Sequence, residues 1–302
     1  MSLIARALNT YLRLTEKPML TKAPPEKLRR SLAFKSKLLF HPPRGTRYDQ
    51  KVLHHDGRQI EAVTVECAPN QDPLLLYFHG GAYIFGSPHT HKAMVARLAR
   101  LTGCRAVLPF YRLAPDHPHP APFEDGLAAY QAVMDHPGGV ILGGDSAGGG
   151  LVLALLGEIT RLGLPQPLGT FAFAPLTDMS FSAPSILGND AKDVILPGTR
   201  TCELAALYLQ GADPADPRCS PIHAQFEGAG PVWITVADSE ILLDDSTRMA
   251  DVLRDQGVEV DLIVEQNLPH VWPIFHNTLP EARATLQALA NWVAALSPSG
   301  KR

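Results

Sequence analysis

Cysteine is scarce and scattered: Cys67, Cys104, Cys202 and Cys219 share no C-x-x-C spacing. That argues against a disulfide framework or a zinc site and suits a reduced, cytoplasmic compartment. Long apolar runs are missing as well. Nowhere do about 18 apolar residues follow one another, so neither a transmembrane span nor stable membrane insertion is expected. The opening MSLIARALNTYLRL puts Leu3, Ile4, Ala7, Leu8, Tyr11 and Leu12 on one helical face, but Arg6 and Arg13 interrupt the apolar centre that a signal peptide needs. No excess of basic charge exists: the formal net charge is −3, with no Lys/Arg run, so nucleic acid is not an expected partner. Neither G-K-[S/T] nor G-x-G-x-x-G surrounds the glycine-rich segment, which leaves no phosphate cradle and no cofactor to expect. The histidines of HTH (89–91) and HPHP (117–120) have no acid or cysteine at ligand spacing, so no metal is expected and they read as solvated loop residues. Oligomeric state is not fixed by the sequence, and a homodimer stays open.

What is present is a layered α/β pattern. With 45% hydrophobic residues in 302, the chain can bury a substantial core. Short apolar runs at 73–78, 105–110, 139–144, 170–175, 232–237 and 260–265 suit strands buried on both faces of a parallel sheet. Helical stretches at 91–102, 124–135, 147–162, 245–256 and 281–296 lie between or after them, which implies right-handed crossovers. Two parts break the rhythm. Residues 1–40 read as two amphipathic helices split by a proline-bearing linker, and 177–221 as an insertion with one helix near 199–210.

Between a strand and a helix sits GGDSAGGG (143–150). Gly144-Asp145-Ser146-Ala147-Gly148 is G-x-S-x-G, a sharp turn that lifts a serine hydroxyl above the sheet edge. The residues two before and two after Ser146 are pressed together, so only very small side chains fit. The following helix points amide N–H groups at the hydroxyl, which suits developing negative charge. Upstream, His79-Gly80-Gly81-Ala82 follows a strand directly. Its glycines let backbone N–H groups of Gly80 and Gly81 join that of Ala147 as an oxyanion donor set.

HGGA, YRLAPDHPHPAPFEDGLAAY (111–130), GDSAGG (144–149) and LPHVW (268–272) together resemble the hormone-sensitive-lipase-like family of α/β-hydrolases. The likeness runs from about residue 50 to 296, with the motifs in the family's order. It implies an α/β-hydrolase fold, mostly parallel sheet flanked by helices, formed by 46–176 and 222–302. Residues 1–45 and about 177–221 resemble the family's helical cap. The implied activity is serine carboxylesterase action on short-chain esters, with a small-molecule ester as partner.

A serine hydroxyl needs a histidine to take its proton and a carboxylate to orient that histidine. In this fold the chain order is serine, acid, histidine. His270 lies in a loop after the last strand; His276, on the next element, suits packing. Asn267 stands where relatives usually carry glycine, and asparagine tolerates left-handed backbone. After the strand at 232–237, VADSEILLDD offers Asp238, Glu240, Asp244 and Asp245. The resemblance aligns Glu240 with the family's acid, with Asp238 as the alternative. Asp244 and Asp245 suit a helix start. Two other readings stand beside the esterase. One is a non-catalytic receptor on the same fold, against which His270 speaks; the other is an interfacial lipase using the N-terminal helix.

Overall fold

The computed structural model describes residues 1–67 and 72–296. Among them the chain forms one eight-stranded sheet and nine α-helices. In order come α1 (Leu3–Lys22), α2 (Pro25–Leu39), β1 (Arg47–His55), β2 (Arg58–Glu66), β3 (Leu74–Phe78), α3 (Pro88–Thr102), β4 (Arg105–Pro109), α4 (Ala121–Gln131), β5 (Val140–Asp145) and α5 (Ala147–Leu162). Then follow β6 (Gly169–Phe173), α6 (Pro184–Gly188), α7 (Thr201–Leu209), β7 (Val232–Ala237), α8 (Leu243–Asp255), β8 (Val260–Glu265) and α9 (Pro280–Leu296). The strand order is β1-β2-β4-β3-β5-β6-β7-β8. From β4 to β8 every pairing is parallel; β1 and β2 add an antiparallel ribbon at one edge.

Alternation along the central strands divides the core in two. Leu74, Leu76 and Phe78 of β3 lie in the layer beneath α5, a layer that holds Leu151 and Leu155 of α5 and, farther along the sheet, Met249 of α8. Leu75 and Tyr77 point the other way, into the layer that holds Val95 and Leu98 of α3 and Leu286 and Leu289 of α9. Strands buried on both faces therefore read as unbroken apolar runs, as expected for β3 to β7. β8 departs from that expectation. It is an outer strand, and Val264 is exposed. Helix α3 shows how local sequence sets boundaries. Ser87 and Thr90 form a capping box, Pro88 occupies the first turn, and Gly103 ends the helix at φ 77°.

The edge ribbon β1–β2 was not expected. β1 is exposed at most positions, so it offers no apolar run. Its signal was the Asp56-Gly57 turn, where both residues take positive φ (48° and 76°). Helix α1 docks through Ala5 against Ala237, Leu268 and Trp272. It also grips the segment that follows β6. Arg13 donates to the carbonyls of Ala191 (2.6 Å) and Lys192 (3.0 Å), and Lys17 to those of Asp190 and Asp193. Arg200 donates to Leu20 O at 2.6 Å. The helix anticipated near 199–210 is α7.

Candidate active site

β5 ends at Asp145, and the chain reverses at Ser146 (φ 54°, ψ −120°) before α5 begins. A non-glycine residue at positive φ costs on the order of 1–3 kcal/mol and persists only where its surroundings over-determine it. Here three backbone bonds do so. Ser146 N donates to Phe173 O (2.8 Å), while Ser146 O accepts from Gly150 N (2.9 Å) and Leu176 N (3.0 Å). The neighbouring glycines are required by space. A Cβ on Gly144 would sit 2.3 Å from Gly148 O, and one on Gly148 would sit 2.1 Å from Phe78 O.

The loop after β3 is held by Asp145, which is buried below the elbow. Its Oδ1 accepts from Tyr77 Oη (2.6 Å) and Gly80 N (3.0 Å), and His91 Nε2 lies 3.3 Å from Oδ2. Burial pushes the Asp145 carboxyl up, but His91 and Tyr77 outweigh it and hold the group below the usual carboxylate range. This geometry revises the expected donor set. The Gly80 N–H is already spent on Asp145, so it does not face a ligand. Among the described residues, the Gly81, Ala82 and Ala147 N–H groups have no hydrogen-bond acceptor. Gly81 is fixed by space: at φ 127°, an added Cβ would meet Phe85 O at 2.1 Å. Ala82 also takes positive φ (54°).

His79 lies behind this loop rather than in it. Its ring stacks on Tyr111 with centroids 4.4 Å apart, and burial, then His91, push its pKa down to about 3, so it is neutral. The reading of the histidine pairs as solvated needs correction at two positions. His91 is buried on α3 beside Asp145, and His119 is buried against Tyr208 and Asp216. Their sequence neighbours His89 and His117 are exposed. The missed signal for His91 was helical: it sits on the same face as Met94, Val95 and Leu98 of α3.

After β7, Glu240 is buried and makes two short contacts. Oε1 accepts from Ala237 N (2.7 Å), and Oε2 lies 2.5 Å from His270 Nδ1. Burial lowers the basicity of His270, but the Glu240 carboxylate more than offsets it, so the imidazole pKa is raised. Asp238 does not reach His270. Its Oδ1 accepts from Asn267 N at 2.7 Å, and Asn267 takes φ 53°, so Asp238 shapes the loop that carries the histidine. Asp244 and Asp245 lie in the first turn of α8, and His276 is buried against the carbonyls of His41 and Ile274.

Two contributors were not anticipated. Asn189 Nδ2 donates to the carbonyls of Asp238 (3.0 Å) and Glu240 (2.9 Å), and Asp193 Oδ2 accepts from Ile241 N (3.0 Å). Both belong to the 177–221 segment, where polar residues among Pro and Gly gave no periodic signal.

Ser146, His270, Gly81 and Ala82 open on one cavity of about 300 Å³. Its walls are largely apolar: Leu8, Leu12 and Met19 of α1, Leu28 and Leu32 of α2, and Leu196. An ion pair between Glu16 and Lys35 (2.6 Å) lies in the wall that α1 and α2 share. A histidine oriented by a carboxylate, a serine on a strained turn and unpaired amides in one apolar pocket can perform acyl transfer.

Comparisons with known proteins bear on the family and the fold. A family model described as alpha/beta hydrolase fold matches residues 75–274. An acetyl-hydrolase of Streptomyces hygroscopicus is 32% identical over 229 residues, covering 75% of this chain and 77% of that protein. The carboxylesterase NlhH of Mycobacterium tuberculosis is 31% identical over 263 residues, 81% of each. Among solved structures, EstE5 soaked by p-nitrophenyl butyrate superposes with a TM-score of 0.90 at 33% identity, over 99% of this chain and 100% of that one. An esterase from the bacterial hormone-sensitive lipase family gives 0.90 at 32%, over 98% and 99%.

Proposed function

Because this chain belongs to the hormone-sensitive-lipase-like family of α/β-hydrolases, we propose that it is a carboxylic ester hydrolase that works through a serine acyl-enzyme. The observation that carries the reading is His270, backed by Glu240, opening on the same cavity as Ser146 at its strained turn. Glu240 holds the Nδ1 proton of His270, which leaves Nε2 to accept the proton of Ser146 Oγ. The oxygen then attacks the ester carbonyl. Charge developing on the carbonyl oxygen is met by the N–H groups of Gly81 and Ala147, with Ala82 beside them. Collapse expels the alcohol, protonated by His270, and leaves an ester on Ser146. Water, deprotonated by His270, attacks that ester and releases the acid.

Residues 1–45 and 177–221 act as a cap over the pocket, and the remainder is the catalytic domain. Short acyl groups fit the reading best. A chain long enough to reach the Glu16–Lys35 pair would strip water from an ion pair without replacing its hydrogen bonds. The test is Ser146→Ala on an acyl-length series of p-nitrophenyl esters. The substitution should remove turnover by about 10⁴-fold or more with an unchanged circular dichroism spectrum. In the parent, kcat/KM should fall from butyrate to laurate. Retention of activity within tenfold refutes the serine; a rate that climbs to laurate refutes the short-chain reading.

A further inference from the structure

The first 40 residues carry nine Lys and Arg against two Glu, a net +7 in a chain whose total is −3. The other residues therefore carry −10, so charge is sharply segregated onto α1, α2 and their linker. Three of the nine are committed to ion pairs: Lys17 with Asp190, Arg29 with Asp116, and Lys35 with Glu16. Arg6, Lys22, Lys27, Arg30 and Lys37 are exposed and have no acidic partner among the described residues.

The same helices leave large apolar side chains in water. On α1, Leu3 (80% exposed), Ile4, Tyr11 and Leu14 (72%) fall within about 100° of arc at 3.6 residues per turn, away from the buried Ala5 and Leu12. On α2, Phe34 (70%) and Leu38 (63%) are stacked one turn apart. The apolar surface runs into the pocket, because Tyr11 and Leu39 are both exposed and cavity-lining. They mark its mouth.

We propose that the α1–α2 face is a docking surface for an anionic lipid bilayer, adsorbing by shallow burial of these side chains with the free cations around them. An apolar stripe with unpaired Lys and Arg beside it is what an interfacial helix requires. No helix among the described residues is long and apolar enough to cross a membrane, so the contact is peripheral. A second copy of the chain is the poorer occupant. A twofold self-contact would set the unpaired Lys and Arg of this face against themselves, like charge on like. The inference does not depend on the ester-hydrolase reading, since binding is measured without turnover.

Flotation with vesicles tests it. Vesicles of equal parts phosphatidylglycerol and phosphatidylcholine should bind the protein at least about tenfold more tightly than pure phosphatidylcholine at low salt. Half-molar salt should abolish the preference, because the Debye length shrinks to about 4 Å. Lys27→Gln, Arg30→Gln and Lys37→Gln should each weaken binding about fivefold. Leu14→Ser with Phe34→Ser should weaken it by about tenfold or more, while turnover of soluble p-nitrophenyl acetate stays at the parental rate. Equal affinity for both vesicles, or no binding at all, overturns the proposal. So does a concentration-dependent dimer that the Leu14→Ser, Phe34→Ser variant dissolves.

Discussion

Replacing Glu240 by Gln changes one oxygen to an amide nitrogen, and the structure says which contact suffers. The remaining oxygen must accept from Ala237 N, because an NH₂ there would face another N–H (the native separation is 2.7 Å). The amide nitrogen is then left against His270 Nδ1, 2.5 Å away in the parent. Two donors cannot share that line, so Nδ1 gives up its proton and Nε2 takes one. In the proposed mechanism Nε2 could then no longer accept the proton of Ser146. A wrong-tautomer histidine of this kind lowers kcat by about 10⁴. The charge lost also shifts the pH profile. Glu240 raises the His270 pKa, and in the proposed mechanism only neutral His270 acts as base, so kcat/KM should climb with pH through that raised value. In the Gln variant the residual activity should climb at lower pH, because the stabilisation of the imidazolium is gone. Steady-state rates on p-nitrophenyl acetate from pH 5 to 9 measure both effects, and a circular dichroism melt confirms folding. Asp238→Asn is the control and should cost less than tenfold, since Asp238 holds Asn267 and not His270. A Glu240→Gln enzyme within tenfold of the parent, or one with an unmoved pH limb, would refute the reasoning.

Asp145→Ala should lower kcat about 100-fold with little change in KM, because it frees the Gly80 N–H and with it the loop that carries Gly81. Rates on p-nitrophenyl acetate beside a urea melt check this, and an unchanged kcat contradicts the anchoring role. Asp245 is fully buried at the start of α8. Burial outweighs its bonds from Thr177 N and Asp178 N and pushes its pKa up to about 7. An acid raised from its unfolded value near 4 favours the folded state below that value and loses the benefit as pH climbs to about 7. Asp245→Asn should therefore flatten the decline of stability between about pH 4 and 7, by on the order of a few kcal/mol. Urea unfolding at pH 4.5 and 8 gives the comparison. A decline as steep as the parent's counts against it.

The central sheet was legible because each parallel strand is buried on both faces and so spells an apolar run. β1 was not, because an edge strand exposed at most of its positions leaves no such run; its marks are the Asp56-Gly57 turn and the buried stretch 62–65 of its partner β2. The elbow was legible from steric need, since Gly144 and Gly148 touch backbone that no side chain could share. Gly80 shows where local reading stops. Its N–H could serve a ligand or a protein acceptor, and the choice rests with Asp145, 65 residues away. His91 was misread for a related reason. A histidine in a short polar string looks solvated until a helical period places it inward, beside the carboxylate that ends β5.

Glu240 illustrates how far the site depends on contacts without a sequence signature. Its side chain is fixed by Ala237 N and its backbone by Asn189, while Asp193 fixes the adjacent Ile241. Asn189 and Asp193 are in turn held where they are by α1, whose Arg13 and Lys17 grip the carbonyls from 190 to 193. The carboxylate that orients His270 is thus braced by a segment about 50 residues upstream, and that segment by a helix at the start of the chain. Each bond is worth only about 1 kcal/mol by itself. Their joint effect is positional, because a carboxylate shifted by an ångström no longer lines up with Nδ1. Helix α1 therefore serves the pocket twice, once as its apolar wall and once, through the 189–193 segment, as a support for the acid.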